Sequence, residues 1–307
     1  MSPTNRPIRG VLPVFQTPYH TDFSIDFTTL EREIQWLLAQ GADGVVMGMV
    51  SETLRLAGDE RKALAEAVCR YTRAHGSAES VAIISAGAES THTAVDYARH
   101  AERIGADGVM VIPPISVAVG EDELYRYYAT IIEAISIPVV VQDASGYVGR
   151  PLSIAMQAAL YNDYGDRVLF KPEATPIGPR LSALRDATGG KAPVLEGTGG
   201  IALVDSYRRG IVGTMPGADL IDVLVALWRA LETGDEARIY DLSLPLSSLI
   251  AIQTSLDAFL AVEKYLLVKR GIFPNALVRG PVGYQLDPET QAEIDRLFAQ
   301  LQQKIGS

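Results

Sequence analysis

Eight short apolar runs, separated by amphipathic stretches at regular intervals, constrain this chain more than any other feature. The runs cover residues 10–15, 44–48, 81–86, 108–112, 138–142, 168–171, 193–196 and 211–215. Helical patterning fills the intervals at about 27–40, 59–75, 91–104, 121–135, 151–163, 178–188 and 201–209. The runs are continuously apolar rather than alternating, which is the pattern of parallel strands covered on both faces. Strand and helix in strict alternation predict an α/β fold, and eight units suit a closed (β/α)8 TIM barrel. The segment Gly41-Ala-Asp-Gly-Val45 recurs as Gly105-Ala-Asp-Gly-Val109, each copy after a helix and before a strand. The alternation stops near residue 217, and 220–231, 235–248, 249–269 and 288–305 read as helices. The expected organisation is therefore a barrel over 1–233 and a C-terminal helical extension over 234–307. The extension is expected to pack on the barrel or on a neighbouring subunit.

Composition excludes several partners. The formal net charge is −10 with no basic run, so nucleic acid and anionic membrane surfaces are poor matches. No apolar run approaches the ~20 residues that span a bilayer, and the N-terminus lacks the apolar core of a signal peptide. These features predict a cytoplasmic protein. The single cysteine, Cys69, excludes an internal disulfide and reads as a packed thiol. No His, Cys, Asp and Glu cluster has metal-ligand spacing. His20, His75, His92 and His100 lie in loops or helices, with His92 and His100 expected on a solvated face.

In such barrels the chemistry gathers at the C-terminal ends of the strands. That rule selects Thr17, Pro18 and Tyr19 after the first strand, and Met49, Val50, Ser51, Glu52 and Thr53 after the second. Pro113, Pro114 and Ile115 follow the fourth. Gln142, Asp143, Ser145 and Tyr147 follow the fifth, Lys171 and Glu173 the sixth, Glu196 to Gly200 the seventh, and Pro216 and Gly217 the eighth. Lys171 is the only lysine among them. The other five, Lys62, Lys191, Lys264, Lys269 and Lys304, lie in polar or helical surroundings where a solvated ammonium is the default. A lysine in a low-dielectric pocket tends to lose its proton, and the neutral amine attacks carbonyls. The alternative is a strand-end lysine that reaches out to water. Ser51 and Glu52 read either as a solvated loop or as substrate contacts. Gly197-Thr-Gly-Gly200 reads as a turn or a close-packing element more readily than as a phosphate cradle, because no basic residue stands in it.

These strand-end residues resemble the dihydrodipicolinate synthase / N-acetylneuraminate lyase family of Schiff-base barrels, from about Gly10 to Pro281. The resemblance is carried by Val14-Phe-Gln-Thr17-Pro18, by Gly48-Met-Val-Ser-Glu52 in place of the family's hydroxyl-rich loop, by Val111-Ile-Pro-Pro114, by Lys171 at the Schiff-base position, and by Glu263-Lys-Tyr265 through Val278-Arg-Gly-Pro281. The departures are informative. Gln142-Asp-Ala-Ser145 replaces a Tyr-Asn-x-Pro segment, Met49 and Val50 replace two hydroxyl residues, and Pro114 or Ile115 stands at a tyrosine position. The arginine that grips the second substrate of the synthases has only the displaced Arg150 nearby. Gln142-Asp143, Ser51-Glu52 and Phe170-Lys-Pro-Glu173 are more similar to the branch of 2-keto-3-deoxy sugar acid dehydratases, notably L-2-keto-3-deoxyarabonate dehydratase.

The resemblance implies a lyase in which Lys171 forms an iminium with a 2-oxo acid, without metal or organic cofactor, in a homotetramer or homodimer. In that reading Glu173, Tyr147 and Asp143 are candidate proton carriers, Glu173 first by its proximity to Lys171. A structural pairing of Glu173 with a barrel arginine is the alternative. Ser51, Glu52, Val50, Gln142, Asp143 and Thr198 are the expected substrate contacts. A dihydrodipicolinate synthase or pyruvate-dependent aldolase, and a barrel that only binds a 2-oxo acid, are the competing functions.

Overall fold

The computed structural model describes residues 6–147 and 151–306. Arg150, considered above, lies outside the described residues. Eight parallel strands form the centre: β1 (Gly10–Val11), β2 (Gly44–Val46), β3 (Val81–Ser85), β4 (Gly108–Val111), β5 (Val139–Gln142), β6 (Val168–Lys171), β7 (Leu195–Glu196) and β8 (Gly213–Thr214). They run as β2-β3-β4-β5-β6 and β1-β8-β7. Single bridges between Val14 and Val46 and between Phe170 and Val194 join the two sets into a closed ring. The chain thus has the expected barrel architecture. β1, β7 and β8 are shorter than the apolar runs that foreshadow them.

Alternation along the strands builds two cores. Leu12, Val14, Val46, Ile83, Met110, Val140, Leu169, Leu195 and Met215 pack inside the ring. Val45, Ala82, Val109, Val139, Val141 and Phe170 point outward, against the helices. Lys171 lies two residues beyond Leu169 on the inward side, so the last inward position of β6 is the amine. The repeated Gly-Ala-Asp-Gly segment has a structural use in both copies. Gly41 and Gly105 take positive φ of 97° and 82° where the first and third helices end, a conformation that costs glycine little. Asp43 then accepts a hydrogen bond from the Val11 amide at 2.8 Å, and Asp107 from the Ala82 amide at 2.8 Å. Each aspartate ties its own strand to the preceding one in the ring.

The outer helices are α1 (Phe27–Ala39), α2 (Gly58–His75), α3 (Thr91–Arg103), α4 (Glu121–Ala134), α5 (Ile154–Tyr164), α6 (Ile177–Ala187), α7 (Leu203–Arg208) and α8 (Ile221–Thr233). Three more follow: α9 (Glu236–Ile250), α10 (Leu256–Lys269) and α11 (Pro288–Ile305). α5 starts later than its sequence pattern suggests, because Ser153 caps the Met156 amide. The single helix expected over 249–269 is corrected. α9 runs on to Ile250, and α10 starts only at Leu256, where Ser255 accepts from the Ala258 amide at 3.2 Å. That break turns α10 back over the strand ends. Cys69 is buried, and burial pushes its thiol up to about 12. His92 is exposed, but His100 is half-buried with Nε2 3.5 Å from Glu66, so only one of the pair stands on a solvated face. No helix among the described residues is long and apolar enough to cross a membrane.

Candidate active site

The β5–β6 register sets Gln142 beside Lys171 as direct partners. Both side chains therefore leave the ring on the same face, and Glu173, two residues on, returns to it. Lys171 Nζ donates to Glu173 Oε1 at 2.5 Å, and Gln142 Nε2 donates to the same oxygen at 2.7 Å. All three residues are buried. Two acceptors in this group, Gln142 Oε1 and Glu173 Oε2, have no hydrogen-bond partner among the described residues. Buried acceptors left open in this way mark the place where a ligand donor would be satisfied. Burial pushes Glu173 above the usual carboxylate range, against the opposing charge and hydrogen bond of Lys171. The partner of Glu173 is thus the nucleophile candidate itself, and the alternative of a barrel arginine is corrected.

Lys171 opens into a cavity of about 30 Å³, little larger than one water. Its walls include Gly48, Met49, Val50, Met110, Gln142, Tyr147, Gly197, Met215, Gly217, Phe259 and Glu263. Three of these are methionines, whose unbranched side chains repack readily around a guest. Met49, Ile112 and Ala144 make one side of the mouth apolar, with Ile115 and Tyr147 packed on them. This apolar side occupies the place where the resemblance would put hydroxyl and tyrosine groups. Tyr147 meets Phe259 edge to face with centroids 5.6 Å apart. Burial, followed by the charges of Glu173, Glu263 and Glu196, pushes its phenol well above the ordinary value. Tyr147 therefore holds its proton at neutral pH and can donate a hydrogen bond, but it is a poor base.

Several expected substrate contacts serve the scaffold instead. Ser51 is fully buried, donates to the Phe15 carbonyl at 2.6 Å and accepts from the Gly48 amide at 3.1 Å. Its hydroxyl is committed to the loop, whereas the Met49 and Val50 amides that open this turn meet no acceptor among the described residues. Glu52 is also taken: Oε1 accepts from Lys264 Nζ, and Oε2 from the Arg279 amide at 3.0 Å. Asp143 accepts from the Glu173 amide at 2.9 Å, the Ala174 amide at 3.2 Å and the Ser145 amide at 3.2 Å, so it braces the turn beyond β6. Thr198 donates to Glu196 Oε1, and its backbone amide binds the same oxygen. Its hydroxyl accepts from the Ala202 amide at 3.0 Å. Of the expected contacts, Val50 and Gln142 line the cavity, and Ser51, Glu52, Asp143 and Thr198 do not.

The glycine loop after β7 serves close approach. A Cβ on Gly197 would lie 3.0 Å from Lys171 Cγ, 3.1 Å from Lys171 Cε and 3.0 Å from Glu173 Cγ. Gly197→Ala is expected to displace the amine and lower kcat/KM about 100-fold, since misplacing a reacting group by about 1 Å costs that much. Steady-state kinetics beside a thermal melt checks this, and an unchanged kcat/KM would refute it.

Phe259 and Glu263 are among the wall residues that sequence reasoning missed, because both belong to α10, which reads as a packing helix. A carboxylate at Glu263, on an α10 face otherwise made of Leu256, Phe259, Leu260 and Val262, was the available signal. Lys264 was also misjudged. It is wholly buried and donates to the Thr17 carbonyl at 2.8 Å, to the Leu277 carbonyl at 2.6 Å and to Glu52.

Comparison with known proteins identifies the family. The model of the dihydrodipicolinate synthetase family matches residues 7–301. The chain belongs to this family. A 4-hydroxy-tetrahydrodipicolinate synthase from Bartonella quintana is 28% identical over 281 residues, covering 90% of this chain and 92% of the relative. An L-2-keto-3-deoxyarabonate dehydratase from Azospirillum brasilense is 26% identical over 297 residues, covering 93% and 92%. Among solved structures, the dihydrodipicolinate synthase from Rhodopseudomonas palustris superposes with a TM-score of 0.84 at 26% identity, covering 97% of this chain and 99% of that one. Family membership brings the Schiff-base barrel and lyase chemistry; it leaves open which carbon substituent departs.

Proposed function

We propose that this protein is a dehydratase of a 2-keto-3-deoxy sugar acid similar to L-2-keto-3-deoxyarabonate, with Lys171 as the Schiff-base nucleophile. The observation that carries the reading is the Gln142–Glu173–Lys171 constellation, with an apolar wall where a tyrosine relay would stand. Glu173 takes a proton from the Lys171 ammonium 2.5 Å away, and the free amine attacks the C2 ketone. The carbinolamine loses its oxygen as water and becomes an iminium. The positive nitrogen acidifies C3, so a base removes one C3 proton and leaves an enamine. The enamine electrons then expel the C4 hydroxyl, which departs with a proton as water. A further water hydrolyses the iminium and frees Lys171.

Glu173 is the proton carrier best suited to this sequence. Burial raises its pKa above the usual carboxylate range, which makes it a better proton acceptor from the ammonium than an exposed carboxylate. Gln142 has no proton that titrates usefully and is a hydrogen-bond partner for a substrate hydroxyl. In this reading the open Met49 and Val50 amides take the substrate carboxylate. Glu173→Gln is expected to lower kcat about 10²- to 10⁴-fold, the usual contribution of one positioned acid–base group, and to slow formation of the pyruvate adduct on Lys171, because glutamine cannot take the ammonium proton. Unchanged kcat and unchanged adduct formation would remove Glu173 from proton transfer.

A second reading is favoured by the synthase names among the relatives. In it the chain joins pyruvate to an aldehyde instead. Assays of 2-keto-3-deoxy acids against pyruvate plus aspartate semialdehyde separate the two, and turnover of the second pair alone would overturn the dehydratase assignment. The domain division at residue 233, an assembly of two or four chains, and a cytoplasmic site of action remain part of the same proposal.

A further inference from the structure

Glu263 is an acid that the mechanism above does not use, yet its side chain forms part of the Lys171 cavity. It comes from α10, four residues after Phe259, so both side chains stand on one helix face over the strand ends. Glu263 is 1% exposed. Oε2 accepts from Gln16 Nε2 at 2.7 Å and from the Ala218 amide at 3.4 Å. Among the described residues no hydrogen bond reaches Oε1 and no cation pairs with the carboxyl. Gly217 makes room for it: a Cβ there would lie 2.5 Å from Glu263 Cδ. The carboxyl therefore enters the cavity through a gap that only glycine leaves open at the end of β8.

We propose that Glu263 contacts the substrate and sets its class, by hydrogen bonding a hydroxyl of the carbon chain beyond the Schiff-base carbon. The inference rests on the proposed function for the position of the ketone at Lys171. An uncompensated carboxylate in such a place would be costly. Burial first, then the charges of Asp219 and Glu33, hold Glu263 well above the usual carboxylate range. That shift favours the protonated carboxyl, which has an O–H to donate and a carbonyl oxygen to accept. A sugar-acid hydroxyl offers both complements, whereas the methyl of pyruvate offers neither. Gln142, which lines the same cavity, also has Oε1 open among the described residues, a second acceptor for a chain hydroxyl.

The test compares borohydride trapping of pyruvate and of 2-keto-3-deoxyarabonate, read by intact mass as the concentration that labels half the protein. In Glu263→Leu the pyruvate value should stay within about twofold, and the sugar-acid value should rise about tenfold or more, the loss of one buried hydrogen bond. Glu263→Gln keeps a donor and an acceptor and should recover most of the difference. If Glu263→Leu does not fold, Gly217→Ala displaces the carboxyl while retaining it and should show the same selective loss. Parallel weakening of both ligands, or no change in either, would reduce Glu263 to a structural group and overturn the proposal. A parent protein that traps pyruvate but shows no preference for the sugar acid also overturns it. A parent that traps neither refutes the Schiff-base reading instead.

Discussion

Lys171→Met should abolish the borohydride-trapped pyruvate adduct and lower turnover about 10⁴-fold or more, in the range seen when an enzyme loses its covalent nucleophile. Methionine keeps most of the lysine's length and leaves Glu173 hydrogen-bonded to Gln142, so the barrel should still fold. Two lysines here are buried, and that makes the site of labelling decisive. Lys264 is the more deeply buried, but three acceptors hold its ammonium and it does not reach the cavity. Peptide mapping of the parent adduct should therefore place the mass on the peptide containing Lys171. An adduct on Lys264, or one that persists in Lys171→Met, would refute the assignment.

The second large effect is on stability. Lys264 and Glu52 form a buried ion pair at 0% side-chain exposure for both. Burial pushes the lysine down from its ordinary value, and the Glu52 charge opposes that shift. The ammonium also satisfies two backbone carbonyls, one before α1 and one after α10, and it lies 4.6 Å from the Tyr19 ring centroid. Lys264→Met would strand the Glu52 carboxylate and both carbonyls at once. Breaking such a pair by removing one partner costs about 3–5 kcal/mol, and for a domain larger than 150 residues that lowers the melting temperature by roughly 10 °C. The double variant Lys264→Met/Glu52→Gln removes the stranded charge and should regain part of the loss. A single variant that melts within about 2 °C of the parent would show that water reaches this pair. Glu52 sits in the left-handed region at φ 56°, a strained conformation held by these contacts. Loss of the pair should therefore also disturb Met49 and Val50 on the cavity wall.

Lys171 was legible in the sequence for a local reason. Strand periodicity reveals which residue ends an apolar run, and a barrel places its chemistry at such ends. Gln142 and Glu173 followed from the same rule, and the repeated Gly-Ala-Asp-Gly segment announced the repeated architecture. The fate of Ser51, Glu52, Asp143 and Thr198 did not follow. A polar residue at a strand end can face the ligand or brace its own loop, and sequence spacing is the same in both cases.

What the sequence determined by itself was the alternation of strands and helices, the count of eight, and the amine at the end of the sixth strand, because these depend on residues a few positions apart. Only the tertiary structure decided that α10 folds back over the barrel mouth. There Glu263 reaches Gln16 across 247 positions and Lys264 reaches Glu52 across 212. Whether a charged side chain is solvated or buried depends on the partners that compensate its desolvation, and here those partners come from the far end of the chain.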